Sequence, residues 1–455
     1  MHTDFLGNPF YCDDDAVARG VGDFVEGFLA YETKAVNVLA AADAAPGCAL
    51  AGAYAAFLWM FAEAPGAEEK AAPYLASAEA AAATGPITER EEMTIAAARA
   101  WVSGDLAGAA AASEAASARF PRDLTMLKIF QYLRFNEGDS PAMLRAAQRA
   151  LAADPANAET AYLHGMLAFA YEQCHLLTEA EESARRALAL KEKEPWAQHA
   201  LAHVMLTEGR IDEGAAFLHG VKASWTDLNS FMDTHLWWHL ALFELSRGRM
   251  AEVLSIYDEH VWGQDKDYSQ DQVGAVALLA RLEMAGADVS DRWEDLAPYL
   301  EKRTGDVVNP FLTLQYLYGL ARAGRGHSAD ALMRSIDAAA AAEPSSGAHE
   351  ETYAEEGVWT GVARPAAHGL LAYARGEHGK AARALGRALP RMVEAGGSHA
   401  QRDLFQLIHE DALVKSGDLV AAQQLLEQRR RAAPGDVAVN ATLKDVYKGL
   451  GLEPA

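Results

Sequence analysis

Apolar and polar positions alternate along most of the 455-residue chain with the period of amphipathic helices, in segments of about four turns. Between these segments a phrase recurs in which small turn residues are followed by a helix opening with alanine. It stands as SGDLAGAAA at 103–111, EGDSPAML at 137–144, EGRIDEGAAFL at 208–218 and RGRMAEVLSIY at 247–257. It returns as AGRGHSADAL at 323–332, RGEHGKAARAL at 375–385 and SGDLVAAQQLL at 416–426. The pattern predicts helix A, a glycine turn and helix B, repeated. Turn glycines at 104, 138, 209, 248, 286, 324, 376 and 417 lie about 34–40 residues apart, except across 138–209 and 324–376. The first long gap contains one more repeat, whose turn carries Cys174 and His175 in place of glycine. The second contains a polar insertion, 337–361. Pro121, Pro155 and Pro434 stand where helix B must stop. Ahead of the repeats, helices are predicted over 15–41 and 48–63.

These features resemble tetratricopeptide repeats over about residues 90–445. The resemblance implies an all-α fold, a degenerate tetratricopeptide-repeat α-solenoid of helix-turn-helix units curved around a central groove or pocket. The expected organisation is a helical cap at 1–89, repeats at 90–336, the insertion at 337–361 and further repeats at 362–455. DFLGNPFYCDDDAVARGVGDFVEGFLAY, WAQHALAHV, HLWWHLALFELSRGRMAEVLSIYDEHV, RLEMAG and GGSHAQRDLF also resemble the tetratricopeptide-repeat protein 38 (StaR-like) family. GGSHAQRD at 396–403 lies outside the repeat pattern and is the most specific of these. Members of that family commonly carry Asn, Asp and His where Leu312, Thr313 and Gln315 stand here, which implies a different ligand or reaction if those places are functional.

Composition narrows the class. Alanine-rich, leucine-studded sequence with 51% hydrophobic residues favours packed helix. A formal net charge of −24 and the lack of a basic stripe argue for no nucleic-acid partner. Three separated cysteines (Cys12, Cys48, Cys174) point to a reducing compartment. With no apolar run of membrane length and no signal peptide, a cytoplasmic location and no membrane partner are expected.

Candidate chemistry concentrates between Glu172 and His239. His199 and His203, then His235 and His239, are spaced i, i+4, so each pair shares one helix face. Counted back from the turn glycines, both pairs and Glu172 fall at groove-lining places, and the five side chains are expected to meet in the groove. Three readings follow. The imidazoles with Glu172 are ligands of a divalent metal (Zn, Fe, Mn or Cu). Alternatively they act without metal as acid, base or hydrogen-bond donors. Or they line a polar groove because a ligand or partner binds there, or simply because they find hydrogen-bond partners. Trp196 and Trp238 are candidate walls of a ligand pocket, with Asp271, Arg402 and Asp403 as further binding residues. Asp271 also fits a helix N-cap, and Arg402 with Asp403 fits a buried ion pair. Trp237 flanks the second pair, and His260 ends a helix B. Lys and Arg are missing from the groove places that a carboxylate clamp would use.

The leading expectation is therefore a concave pocket that binds a small molecule rather than a peptide, as a metal-assisted hydrolase or an oxidase/oxygenase. The alternative is a non-catalytic scaffold binding a peptide. Oligomerisation through exposed ends of the array is open.

Overall fold

The computed structural model describes residues 1–343 and 356–453. The central part of the 337–361 insertion, 344–355, lies outside the described residues. The protein is an all-α, tetratricopeptide-repeat-like solenoid with 23 α-helices among the described residues. Its strands are one two-residue antiparallel pair, β1 (His2–Thr3) with β2 (Pro9–Phe10). The chain folds as two compact units. One comprises Met1–Phe135, Asp139–Val204 and Val221–Asp233; the other comprises Asn136–Gly138, Met205–Gly220 and Thr234–Ala455.

In the first unit, α1 (Asp15–Ala30), α2 (Asn37–Ala44), α3 (Ala49–Met60) and α4 (Ala67–Thr84) precede the repeats. The repeats are α5/α6 (Glu89–Val102, Leu106–Arg119), α7/α8 (Leu124–Asn136, Ser140–Ala153) and α9/α10 (Ala161–Gln173, Leu177–Leu190). The single helix expected over 15–41 is two helices. Tyr31 takes the left-handed conformation (φ 57°), so α1 stops there, and the Tyr31 carbonyl accepts from Asn229 N–H. Nothing in the local periodicity marks this break, because the partner is almost 200 residues away. Helix α4 was not foreseen either. It is alanine-rich with weak amphipathic contrast, and it packs on α3 through the small face left by Gly52.

Helices α11 (Pro195–Thr207), α12 (Ile211–Val221) and α13 (Ser230–Ser246) follow, and α13 is paired in sequence with the short α14 (Met250–Ile256). The second unit continues with α15/α16 (Ser269–Met284, Ser290–Glu301), α17/α18 (Pro310–Arg322, Gly326–Ala342) and α19/α20 (Arg364–Ala374, His378–Ala388). It ends with α21/α22 (His399–Ser416, Leu419–Ala432) and α23 (Val437–Leu450). Neighbouring helices pack in sequence order, α15 on α17 and α17 on α19, with α15 also meeting α21.

The turn glycines account for this regularity. All eight have positive φ, from 68° at Gly209 to 92° at Gly286, where a side chain would be strained. The repeat without glycine uses the same geometry, since His175 stands at φ 57°. Among the described residues no helix is long and apolar enough to cross a membrane.

Candidate functional site

In the first unit, α9 and α11 place Glu172, His199 and His203 together. Glu172 and His203 are fully buried and His199 nearly so. His199 and His203 stand one turn apart, and their Nε2 atoms face each other at 3.0 Å. Behind them, His203 Nδ1 lies 3.4 Å from Glu172 Oε1, and Gln173 Nε2–H donates to Glu172 Oε2 at 2.6 Å. Trp196 stacks on His199 with ring centres 4.5 Å apart, Phe169 leans on both, and Tyr31 stacks on Trp196 at 5.1 Å. Leu201, Val204 and Met205 of α11 are buried as well.

Lys128 was missed. It stands ten residues before Gly138, as His199 stands ten before Gly209, so the groove places do not all lack a cation. Its Nζ donates to the Phe28 and Leu29 carbonyls at the end of α1 and sits 3.3 Å above the Tyr31 ring centre. Burial pushes the Lys128 pKa well below its ordinary value, against the opposing charge of Glu194. Glu194 opens α11, where its carboxylate accepts from Ala197 N–H. Burial raises its pKa to about 7, although the Ala197 bond, Lys128 and Lys191 pull it down. Gly165 leaves the space this carboxylate occupies; a Cβ there would stand 2.8 Å from Glu194 Oε2.

In the second unit, α13 repeats the imidazole motif. His235 and His239 are buried, with Nε2 atoms 3.2 Å apart. Trp238 lies parallel to His235 (5.4 Å, 7°) and edge-on to His239. Trp237 instead turns to stack on His260 at 3.6 Å, which explains that histidine. Asp271 is not an N-cap. It is the third residue of α15; Thr234 Oγ1–H donates to one of its carboxylate oxygens at 3.1 Å and Asp265 N–H to the other at 3.3 Å. Because Thr234 immediately precedes His235, Asp271 fixes the start of the histidine-bearing face.

The GGSHAQRD segment supports the same region. Gly396 and Gly397 take positive φ, and Ser398 caps α21 in a capping box with Gln401. Asp403 does not pair with Arg402, whose guanidinium donates to the Gly397 carbonyl. Its partner is Arg429, at 2.6 Å, which also holds Glu410. Burial raises the pKa of both acids. Arg429 and the more distant Arg281 bring Asp403 below its ordinary value, while Glu410, which also feels the like charge of Asp403, stays above.

Arg281 is a second missed residue. It donates to the Ala277 and Ala400 carbonyls and lies 5.3 Å from the Trp238 ring centre, and burial lowers its pKa to about 10. The RLEMAG motif contained it, but no spacing rule linked it to Trp238. Thr313 bonds to backbone carbonyls at Asp306 and Asn309, Gln315 is buried with its Oε1 unpartnered, and Leu312 is core.

One further grouping, His219 with Glu244 and Glu252, has metal-ligand composition. Arg247 and Arg249 already neutralise Glu244, and two guanidiniums beside the carboxylate oppose a cation.

No family model matches the chain. Solved structures of similar fold include the human IFIT1 dimer with m7Gppp-AAAA, at 14% identity over 97% of this chain and 92% of that one (TM-score 0.45). The human IFIT1 dimer with PPP-AAAA is similar at 13% over 96% and 86% (TM-score 0.37). Naa15/Naa10 bound to HypK-THB is similar at 16% over 80% of this chain and 61% of that one (TM-score 0.25). The expectations that nucleic acid is excluded and that a small molecule is preferred to a peptide are therefore withdrawn. Structures similar to this chain hold capped and triphosphate oligonucleotides. The physical error is that net charge sums the whole surface and does not give the sign of the potential in one groove.

Proposed function

We propose that the two i, i+4 histidine pairs are transition-metal ligands and that the protein is a metal-assisted enzyme. The observation that carries this reading is the alignment of Glu172, His203 and His199, in which His203 Nδ1 stands 3.4 Å from Glu172 Oε1 and His203 Nε2 stands 3.0 Å from His199 Nε2. A carboxylate beside Nδ1 favours the tautomer that leaves the Nε2 lone pair free, as in carboxylate–histidine–metal triads. The Nε2 separations, 3.0 and 3.2 Å, approach the roughly 3.3 Å between two nitrogens on a tetrahedral ion. Without metal, one imidazole of the pair shares its Nε2 proton with the other's Nε2, and metal binding displaces that shared proton. Glu172 then acts as the group that orients His203, and Trp196 and Trp238 hold the ring planes of His199 and His235.

An ion held there would supply Lewis-acid or oxygen chemistry, so substrate screens begin with hydrolysis and oxidation. Membership of the tetratricopeptide-repeat protein 38 (StaR-like) family is part of the same proposal, supported by GGSHAQRD at 396–403 and the histidine-bearing motifs.

The test is titration of metal-free protein with cobalt(II), followed by visible absorption. Enhanced d–d bands of a nitrogen-ligated ion are expected, weakened in His199→Ala/His203→Ala and in His235→Ala/His239→Ala. Affinity should rise with pH as the shared protons are displaced. Only the weak spectrum of hydrated cobalt, unchanged by either double substitution, would sink the reading and leave a scaffold as the better account.

A further inference from the structure

The three cysteines are far apart in sequence, yet the first unit brings two of them to one place. Cys12 follows β2, two residues before Asp14, the N-cap of α1; Cys48 is the N-cap residue of α3. Both are free thiols, 7% and 4% exposed. Cys48 Sγ–H donates to the Tyr11 carbonyl at 3.8 Å, so its sulfur touches the peptide group that leads into Cys12. Cys12 Sγ–H donates to the Asp14 carbonyl at 3.4 Å. These bonds hold both sulfurs against the same short stretch, 11–14, which Glu91 also anchors by accepting from Tyr11 N–H.

We propose that Cys12 and Cys48 are a redox site at which a peroxide forms an intramolecular disulfide, stapling the N-terminal segment to the start of α3. The first step is attack of the Cys12 thiolate on one peroxide oxygen. The S–O bond forms, the O–O bond breaks and hydroxide leaves, giving a sulfenic acid. The Cys48 thiolate then attacks the Cys12 sulfur, forming the S–S bond and expelling a second hydroxide. Two thiols thus lose two protons and two electrons, and one hydrogen peroxide becomes two waters.

The staple closes a loop that contains α1 and α2, and it restrains the unfolded chain accordingly. It also fixes the helix whose end supplies Tyr31 to the Trp196 stack. The environment sets the reaction's pace. Burial raises the Cys48 pKa to about 12; the Ala51 N–H bond lowers it, and the neighbouring Cys12 and Glu91 raise it further. The second step therefore needs an infrequent thiolate and accelerates by about tenfold per pH unit below that value.

The experiment treats the full chain with hydrogen peroxide at several pH values, then maps peptides without reduction and records Tm with and without reductant. The proposal predicts a peptide bridging Cys12 and Cys48 that has lost two hydrogen masses and forms faster at higher pH. It also predicts an upward Tm shift that reductant reverses. The bridge should vanish in Cys12→Ser and Cys48→Ser and persist in Cys174→Ser. Oxygen adducts on separate peptides with no bridge, even at high pH, would overturn it, as would a bridge that leaves Tm unchanged. Mapping of the parent chain needs no variant, so the test stands even where a serine variant misfolds.

Discussion

Glu172 carries its effect through another side chain. Its carboxylate faces His203 Nδ1 while Gln173 holds its other oxygen, so Glu172→Gln should loosen the ring without removing a ligand. Metal affinity is predicted to fall by about 10- to 100-fold, measured by competition with a chelator, with the circular dichroism spectrum unchanged. Arg429 is the opposite case, a residue whose loss is structural. Arg429→Met leaves the buried Glu410 without its counter-charge, and a loss of about 3 kcal/mol in urea unfolding is predicted. At this scale the sequence was partly legible. The i, i+4 spacing identified the histidines because a helix turns that spacing into adjacency. Lys128, Tyr31 and Arg281 escaped because the contacts that define them cross from one helix to another, between positions 97 and 119 residues apart (Lys128 to Tyr31, Arg281 to Ala400).

The helices were the most legible level. Each turn glycine is needed for a left-handed residue between two helices, so its sequence period is a physical requirement and not a coincidence of composition. The exceptional turn tests that explanation. His175 adopts the same conformation at φ 57° with a side chain that disfavours it. His175→Gly should raise stability by up to about 1 kcal/mol in thermal or urea unfolding, while His175→Val should lower it. What periodicity could not show was where a helix is interrupted by a distant partner. Between positions 15 and 41 the amphipathic pattern runs on, but Asn229 and Leu228 meet the backbone at Tyr31 and Glu32 and the helix ends. Asp271 shows the same limit: it has a cap's composition, but Thr234 on another helix gives it a different role.

For the molecule as a whole, net charge was the poorest guide, since it sums the whole surface and does not give the sign of the potential in one groove. Individual buried charges are more informative. Glu194 has a folded-state pKa raised to about 7 from an ordinary 4.5. A carboxyl raised in this way adds stability that is fully present below its unfolded pKa and is lost as pH climbs through the folded one. Between about pH 4.5 and 7, then, this group should remove stability as pH rises, by about 3 kcal/mol in all. Lys128 and Lys191 oppose the shift, so the comparison is with Glu194→Gln, in which that slope should be absent. Urea unfolding from pH 5 to 8 measures both.

The central claim is that the imidazole pairs hold a metal, and the most direct measurement is metal content by mass spectrometry. Untagged protein would be compared with His203→Ala and His239→Ala, each checked for fold by circular dichroism. The account predicts stoichiometric transition metal in the parent chain and its depletion in both folded variants. No metal in the parent even after reconstitution, or a metal content that neither substitution changes, would contradict it.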